Sequence, residues 1–200
     1  AFASSVPIPP GSGIAPRWAN GVRATIQAAS ARKNGEPGRD YLLTTRTFDR
    51  QLRFSDFRSA CVACRALTNP VLWQETLLLA WVLMPDHWHG LVRLGSTDNL
   101  SRCMLRMKSA VARAVNRFDG RSGRVWQDGF HDHAVREHAR LFDVARYVVL
   151  NPVRAGLVSN AGDYPFWNSV WIGHWAADAG FRIAAMGRSH FFETRKGFVM

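Results

Sequence analysis

The sequence predicts an α+β fold, an antiparallel sheet with helices packed on one face. Runs of β-forming residues alternate with segments of helical periodicity in the order β-α-β-β-α-β-α. The turn Met84-Pro85-Asp86 separates two apolar runs, so these two strands should pair as an antiparallel hairpin. With 200 residues, of which 47% are hydrophobic, the chain can form one packed domain but is short for two.

Three parts are expected along the chain. Residues 1–38 are rich in Pro, Gly, Ser and Ala and should form an irregular N-terminal lead-in, with a short helix around Arg23–Ala31. Residues 39–171 hold the strands and helices of the domain. Residues 172–200 show no clear pattern and are assigned to a C-terminal tail.

The first half of the domain contains most of the predicted strands. Residues 41–47 are rich in β-formers and predict the first strand. Ser55 is a plausible N-cap for a helix over 56–68. The apolar run 71–83 and the segment 87–94 predict the two strands of the hairpin.

Two cysteines, Cys61 and Cys64, lie four and seven residues after Phe57, the spacing of a core face on the first helix. A metal or redox pair would need a second Cys or His pair at zinc-site spacing, and none follows closely. The only other cysteine is Cys103, so the sequence predicts no disulfide framework and favours a reducing cytoplasm.

The clearest amphipathic helix spans residues 99–118. Its predicted apolar face comprises Leu100, Met104, Met107, Val111, Val115 and Phe118. The opposite face carries four arginines with no acidic residue among them, Arg102, Arg106, Arg113 and Arg117. Solubility alone would mix charges of both signs, so this face is a candidate phosphate-binding surface. Short strands around 124–126 and 130–135 and a last core helix over 138–150 should follow.

The chain is strongly basic, with a net charge of +11. This balance favours a polyanionic partner, although a GC-rich genome would produce the same preference for arginine over lysine. The sequence contains no run of 18 apolar residues, so we expect no membrane association. A location in the cytoplasm fits these properties best.

The segment His87-Trp88-His89 is the first candidate for chemistry. In a strand, alternate side chains share a face, so His87 and His89 point the same way while Trp88 points towards the core. Two histidines spaced in this way, about 6.5–7 Å apart along the backbone, can converge on one metal ion. By itself the pattern is weak, because exposed or hydrogen-bonded histidines produce it too and His131-Asp132-His133 repeats it.

The second candidate is Tyr147 on the last helix. It lies off that helix's apolar stripe of Leu141, Val144, Ala145 and Val148, so its hydroxyl is free for chemistry. An ordinary tyrosine at a helix edge is the competing interpretation. Asn151 follows four residues later at same-face spacing and could offer an amide oxygen to a metal, although Pro152 disfavours helical geometry there.

At these positions the chain resembles a known family. Met84-Pro-Asp-His-Trp-His-Gly-Leu-Val92 resembles the HUH motif (His, bulky hydrophobe, His) of the single-strand DNA transposases. Tyr147-Val-Val-Leu-Asn-Pro-Val-Arg-Ala-Gly-Leu-Val158 is similar to the tyrosine helix of one branch, the REP-associated tyrosine transposases, whose domain is of the IS200-like type. Shorter matches lie at Thr45–Arg50, Val125–Phe130 and Asp163–Pro165.

The resemblance implies a ferredoxin-like (RRM-like) sheet with the histidine pair on a central strand. It implies that Tyr147 is the nucleophile, that His87, His89 and Asn151 bind Mg²⁺ or Mn²⁺, and that the product is a 5′-phosphotyrosine link. The implied substrate is single-stranded or hairpin DNA at a palindromic repeat, cleaved and rejoined by a monomer or a homodimer. Arg154 is a further candidate for holding phosphates. Asp86 departs from the family, which more often has Asn there.

Three other functions remain open at this point. A catalytically silent, domesticated nucleic-acid-binding module would keep the fold without cutting, although the presence of both histidines and of Tyr147 argues against it. A replication or conjugation initiator nuclease shares the chemistry, but the segment Asn151–Gly156 points away from that class. A hydrolase would use the same histidine pair with water as its nucleophile.

Overall fold

The strands of the chain form one antiparallel sheet. The structure, a computed structural model, describes residues 26–28, 34–135 and 141–175. The described strands are β1 Ile26–Ala28, β2 Asp40–Arg46, β3 Leu77–Met84, β4 His87–Arg93, β5 His131–Val135 and β6 Trp167–Ser169. The described helices are α1 Phe57–Leu67, α2 Pro70–Trp73, α3 Leu100–Asp119, α4 Leu141–Val149, α5 Asn151–Arg154 and α6 Ile172–Trp175. Among the helices so described, none is long and apolar enough to cross a membrane.

The order of the strands confirms the predicted fold class. The sheet runs β1-β5-β2-β4-β3-β6, and every neighbouring pair is antiparallel. Helix α1 connects β2 to β3 and helix α3 connects β4 to β5. This β-α-β-β-α-β path with β2 and β4 at the centre is the ferredoxin-like arrangement. The strand that contains the histidine pair is therefore an interior strand.

The two faces of β4 are covered by different helices. Trp88 on one face lies against Trp73 of α2, with ring centroids 6.1 Å apart, and α2 and α1 both contact α3. His87, His89 and Leu91 point to the other face because side chains alternate along the strand. Helix α4 contacts β3 and β4 and leads into α5, which brings Arg154 close to His89. The prediction that the helices pack on one face of the sheet therefore holds for α1, α2 and α3. Helices α4 and α5 lie on the other face, with the histidine pair.

Two local predictions near the first helix are wrong. The carboxylate of Asp56, not Ser55, caps α1 by accepting a hydrogen bond from the Ser59 amide at 2.8 Å. Phe57 is 61% exposed, so the core face of α1 consists instead of Ala60, Ala63, Cys64 and Leu67. Cys64 belongs to the core, as predicted, but Cys61 is only partly buried.

The predicted strand over 71–83 is wrong in its first part. Residues Pro70–Trp73 form helix α2, capped by the Asn69 side chain, which accepts a hydrogen bond from the Val71 amide at 3.1 Å. Proline fits the first turn of a helix because its missing N–H would have no partner there. Strand β3 therefore begins only at Leu77.

Other segments differ in smaller ways. Ile26–Ala28 is a strand paired with β5, where a short helix was predicted, because this pairing supplies its hydrogen-bond partners. The predicted strand around 124–126 is reduced to one bridge, Thr47 to Trp126. On α3, Phe118 is 49% exposed and does not belong to the buried face, whereas Cys103 is buried and does. The predicted helix over 138–150 is described from Leu141 to Val149, and residues 136–140 lie outside the described chain, as do most of the lead-in and the tail.

Candidate active site

The histidine pair lies near the start of β4, on one face of the sheet. The rings of His87 and His89 are 4.8 Å apart between centroids and almost perpendicular, at 85°. Both side chains are partly buried. Between them, Trp88 is fully buried on the opposite face and anchors the strand in the core. The alternation expected from the sequence thus brings the two imidazoles together.

Each imidazole has a hydrogen-bond partner at Nδ1. A hydrogen bond of 2.7 Å joins Nδ1 of His89 to the hydroxyl of Thr44, the residue directly opposite on β2. A hydrogen bond of 2.5 Å joins Nδ1 of His87 to a carboxylate oxygen of Asp86. When one ring nitrogen is held in this way, the other becomes the ligand atom. Both rings therefore present Nε2 as the nitrogen that could coordinate a metal.

Two arginines, Arg46 and Arg154, lie near the histidine pair. The pKa of His89 is lowered to about 3, mainly by burial, and the neighbouring His87, Arg154 and Arg46 contribute to the same shift. Arg46 lies directly opposite His87 on β2. His89 is consequently neutral at physiological pH, which is the form that binds metals. A site of this charge is also suited to a phosphate group.

Tyr147 lies in the last turn of α4, close to the same site. Its side chain is partly buried, and the guanidinium carbon of Arg154 lies 4.1 Å from the centroid of its ring. The same Arg154 is near enough to His89 to influence its pKa. Arg154 therefore connects the predicted nucleophile with the predicted metal ligands.

Asn151 is fixed relative to Tyr147. Its Nδ2 donates hydrogen bonds to the backbone oxygens of Tyr147, at 3.1 Å, and Val148, at 2.9 Å. These are carbonyls at the C-terminal end of α4, which lack partners within the helix. The amide orientation leaves Oδ1 as its remaining acceptor, which is the atom that a metal would use.

The arginine face predicted on α3 is only partly exposed. Arg102, Arg113 and Arg117 are exposed. Arg106 is instead part of the fold, because its guanidinium pairs with Asp98 through both oxygens and its Nε donates to the Leu72 backbone oxygen at 2.6 Å. The buried carboxylate of Asp98 requires such a partner. Arg106 is therefore removed from the predicted phosphate-binding surface.

Two residues beside the pair were not singled out from the sequence. Arg46 faces the pair from β2, and Nε of Arg50 lies 3.7 Å from the Asp86 carboxylate. Arg50 has a left-handed backbone with φ of 51°, an arrangement that is strained for a residue with a side chain. Both belong to the segment Thr45–Arg50 that resembles the transposase family. The direction of Arg46 depends on the register of β2 against β4, and that of Arg50 depends on the turn Phe48–Arg50 after β2.

The donor set fits a divalent cation only with oxygen ligands added. Among the residues described, no group of three or more His, Cys, Asp or Glu side chains could hold a metal ion. The histidine pair supplies two oriented nitrogens, and Mg²⁺ and Mn²⁺ prefer oxygen. The Asn151 amide and a substrate phosphate are donors of the required kind.

Comparisons with known proteins find similarity to transposases. Residues 64–151 match the family model described as IS200-like transposase. A REP-associated tyrosine transposase of Escherichia coli (strain K12) is 30% identical over 88 residues, which cover 44% of this chain and 50% of the relative. A Haemophilus influenzae relative named for the same family is 29% identical over 98 residues, covering 44% of this chain and 56% of the relative. The matches thus span about half the length of these relatives.

A solved structure extends the likeness in fold. The structure of a REP-associated tyrosine transposase bound to a REP hairpin superposes with a TM-score of 0.57 and 20% identity, over 86% of this chain and 99% of the other. Because it covers 86% of the chain, this likeness extends well beyond the segment that the family model matches. Residues 64–151 are therefore similar to an IS200-like transposase domain, and the described fold is similar to that of a REP-associated tyrosine transposase.

Proposed function

We propose that the protein is a single-strand DNA endonuclease and strand transferase in which Tyr147 is the nucleophile. The observation that supports this most directly is the position of Arg154, which lies over the Tyr147 ring and close to His89. A nucleophile, a candidate metal site and a cation for the phosphate are thereby assembled in one place. These are the parts that phosphodiester transfer requires.

The Tyr147 oxygen forms a bond to the phosphorus of the scissile phosphodiester, and the bond from phosphorus to the 3′ oxygen breaks. The phenol loses its proton and the 3′ oxygen gains one, so the products are a 5′-phosphotyrosine link and a free 3′-OH. A new 3′-OH can attack that link and restore a phosphodiester without ATP, because the bond energy is retained.

His87, His89 and the Asn151 oxygen would hold a divalent cation, Mg²⁺ or Mn²⁺. When bound, the cation polarises the phosphate and stabilises the leaving oxygen. The chain's own contribution is positional. Arg154 and Arg46 neutralise the phosphate beside the histidine pair, since both lie close enough to His89 to affect its pKa.

The proposed substrate is a palindromic repeat folded as a DNA hairpin with an unpaired flank. The net charge of +11 favours a nucleic acid, and the solved structure of a related transposase is bound to a REP hairpin. The exposed arginines of α3, Arg102, Arg113 and Arg117, are proposed to hold phosphates of this DNA.

The test is cleavage of repeat hairpins taken from the DNA next to the gene, with and without Mg²⁺. The wild-type protein should cut the unpaired flank only when a divalent cation is present. His87→Ala should lose this cleavage, while His131→Ala, which changes an exposed histidine two strands away on β5, should keep it. Cleavage in the presence of a chelator would exclude the metal site. Tight hairpin binding without cleavage under any divalent cation would support a silent binding module instead.

A further inference from the structure

Asp86 is held in place from several sides immediately before the histidine pair. Its backbone oxygen accepts hydrogen bonds from the amide of Thr47, at 2.8 Å, and from the Thr47 hydroxyl, at 3.0 Å. Its second carboxylate oxygen lies 3.7 Å from Nε of Arg50. Its first carboxylate oxygen accepts the hydrogen bond from His87. The carboxylate therefore has a defined orientation towards the ring.

An ionised carboxylate can only accept hydrogen bonds. A hydrogen bond between Asp86 and Nδ1 of neutral His87 consequently requires the ring proton to be on Nδ1. The lone pair of the neutral imidazole is then on Nε2, which is the form a metal needs at that atom. An amide at position 86 would not impose this choice, because its oxygen accepts and its nitrogen donates.

The partner of the second histidine lacks this property. Thr44 contacts Nδ1 of His89 through a hydroxyl, and a hydroxyl can donate or accept. The two histidines of the pair are thus held by partners of different chemistry. The Asp86 carboxylate determines the tautomer of His87, whereas the Thr44 hydroxyl is compatible with either tautomer of His89.

We propose that Asp86 is a positioning residue that fixes His87 in the Nδ1-protonated form and thereby presents Nε2 to the divalent cation. This rests on the proposed metal site. It assigns a role to the position where the chain departs from the resembled sequence pattern, and it makes the pair a carboxylate–histidine–metal arrangement.

The first test is the tautomer of His87 in the metal-free, full-length protein. Nitrogen NMR of the histidine rings at pH 8 should show the proton on Nδ1 of His87 in the wild type. Asp86→Asn should lose this preference and populate the Nε2-protonated form. Finding Nε2-protonated His87 in the wild type would overturn the proposal, whether or not the variant folds. An unchanged Nδ1-protonated ring in Asp86→Asn would overturn it as well.

The second test is Mn²⁺ binding, measured by the electron paramagnetic resonance signal of the free ion. Asp86→Asn should weaken Mn²⁺ binding about 10-fold or more, as loss of such outer partners does elsewhere. Asp49→Asn is the matched control, because it removes an exposed carboxylate from the same loop and should change affinity less than about twofold.

His87→Ala separates this inference from the proposed function. If His87→Ala loses Mn²⁺ binding but Asp86→Asn binds as tightly as the wild type, the role of Asp86 is wrong and the metal site stands. If His87→Ala binds Mn²⁺ as tightly as the wild type, the metal site itself is wrong. Weaker binding in both variants, with unchanged binding in Asp49→Asn, supports both assignments.

Discussion

Replacing Gly90 with alanine tests how tightly the strand of the histidine pair is packed. Gly90 follows His89 on β4 and lies on the same face as Trp88, which is fully buried. A Cβ atom at position 90 would lie 2.1 Å from Cη2 and 2.2 Å from Cζ2 of the Trp88 indole. Carbon atoms in contact are normally about 3.5–4.0 Å apart, so the ring would have to move by more than about 1 Å.

The indole has little room for such a movement. It lies against Trp73, which is itself buried, with ring centroids 6.1 Å apart. Overpacking a well-packed core costs about 1–3 kcal/mol, and an enclosed ring favours the upper part of that range. We therefore expect Gly90→Ala to lower the free energy of unfolding by about 2–3 kcal/mol. For a chain of this size that corresponds to a fall in Tm of about 4–12 °C.

The assay is urea unfolding followed by tryptophan fluorescence and circular dichroism. Gly173→Ala is the matched control, because a Cβ there meets no atom within 4 Å and should change stability by less than about 0.5 kcal/mol. Trp88→Phe removes the ring atoms that the new Cβ would meet. In that background the effect of Gly90→Ala should shrink by about 1 kcal/mol or more. Equal stability of Gly90→Ala and Gly173→Ala would show that the Trp88 indole does not obstruct a Cβ atom at position 90.

The remaining predictions concern charge. Asp98→Asn should lower the free energy of unfolding by about 3 kcal/mol in a urea titration, because it leaves the guanidinium of Arg106 without its buried carboxylate. Burial alone raises the pKa of Asp98, but hydrogen bonds, first among them that from Arg106, hold it below its ordinary value. This stabilisation should therefore be present above about pH 4 and be lost as the pH falls further, so wild type and variant should converge in acid. The double variant Arg113→Ala with Arg117→Ala should weaken hairpin binding at every repeat sequence. It should also reduce the slope of log K against log salt concentration by about 1.8, because two phosphate contacts are lost. An unchanged slope would show that this part of α3 does not contact the DNA.

Much of the fold could be predicted from the sequence because its signals are local. Side-chain alternation along residues 87–94 placed both histidines on one face, and that is where β4 places them. Helical periodicity located α3 almost to the residue, from Leu100 to Asp119. The short helix α2 was missed because its apolar residues continue into those of β3, and a buried turn and a buried strand look alike by composition. The Asn69-Pro70 start signal was nevertheless present.

The partners of the site residues could not be predicted because they depend on tertiary structure. Thr44 reaches His89 only through the register of β2 against β4. Arg106 was assigned to a DNA-binding face because its periodicity matched that of three exposed arginines. Its actual partner, Asp98, lies in the loop before α3, where no helical spacing relates the two residues. Helical periodicity predicts which face of the helix a side chain occupies, but not which residue of a neighbouring loop contacts that side chain.

If Tyr147 is the nucleophile, it forms a covalent bond to DNA that can be trapped. Wild-type protein incubated with Mg²⁺ and a repeat hairpin carrying an unpaired flank should yield a protein–DNA adduct that survives denaturation. Mass spectrometry of the digested adduct should locate the phosphate on Tyr147. Tyr147→Phe should form no adduct while binding the hairpin with nearly wild-type affinity. Equal cleavage by Tyr147→Phe, or cleavage by the wild type with no covalent intermediate, would show that Tyr147 is not the nucleophile.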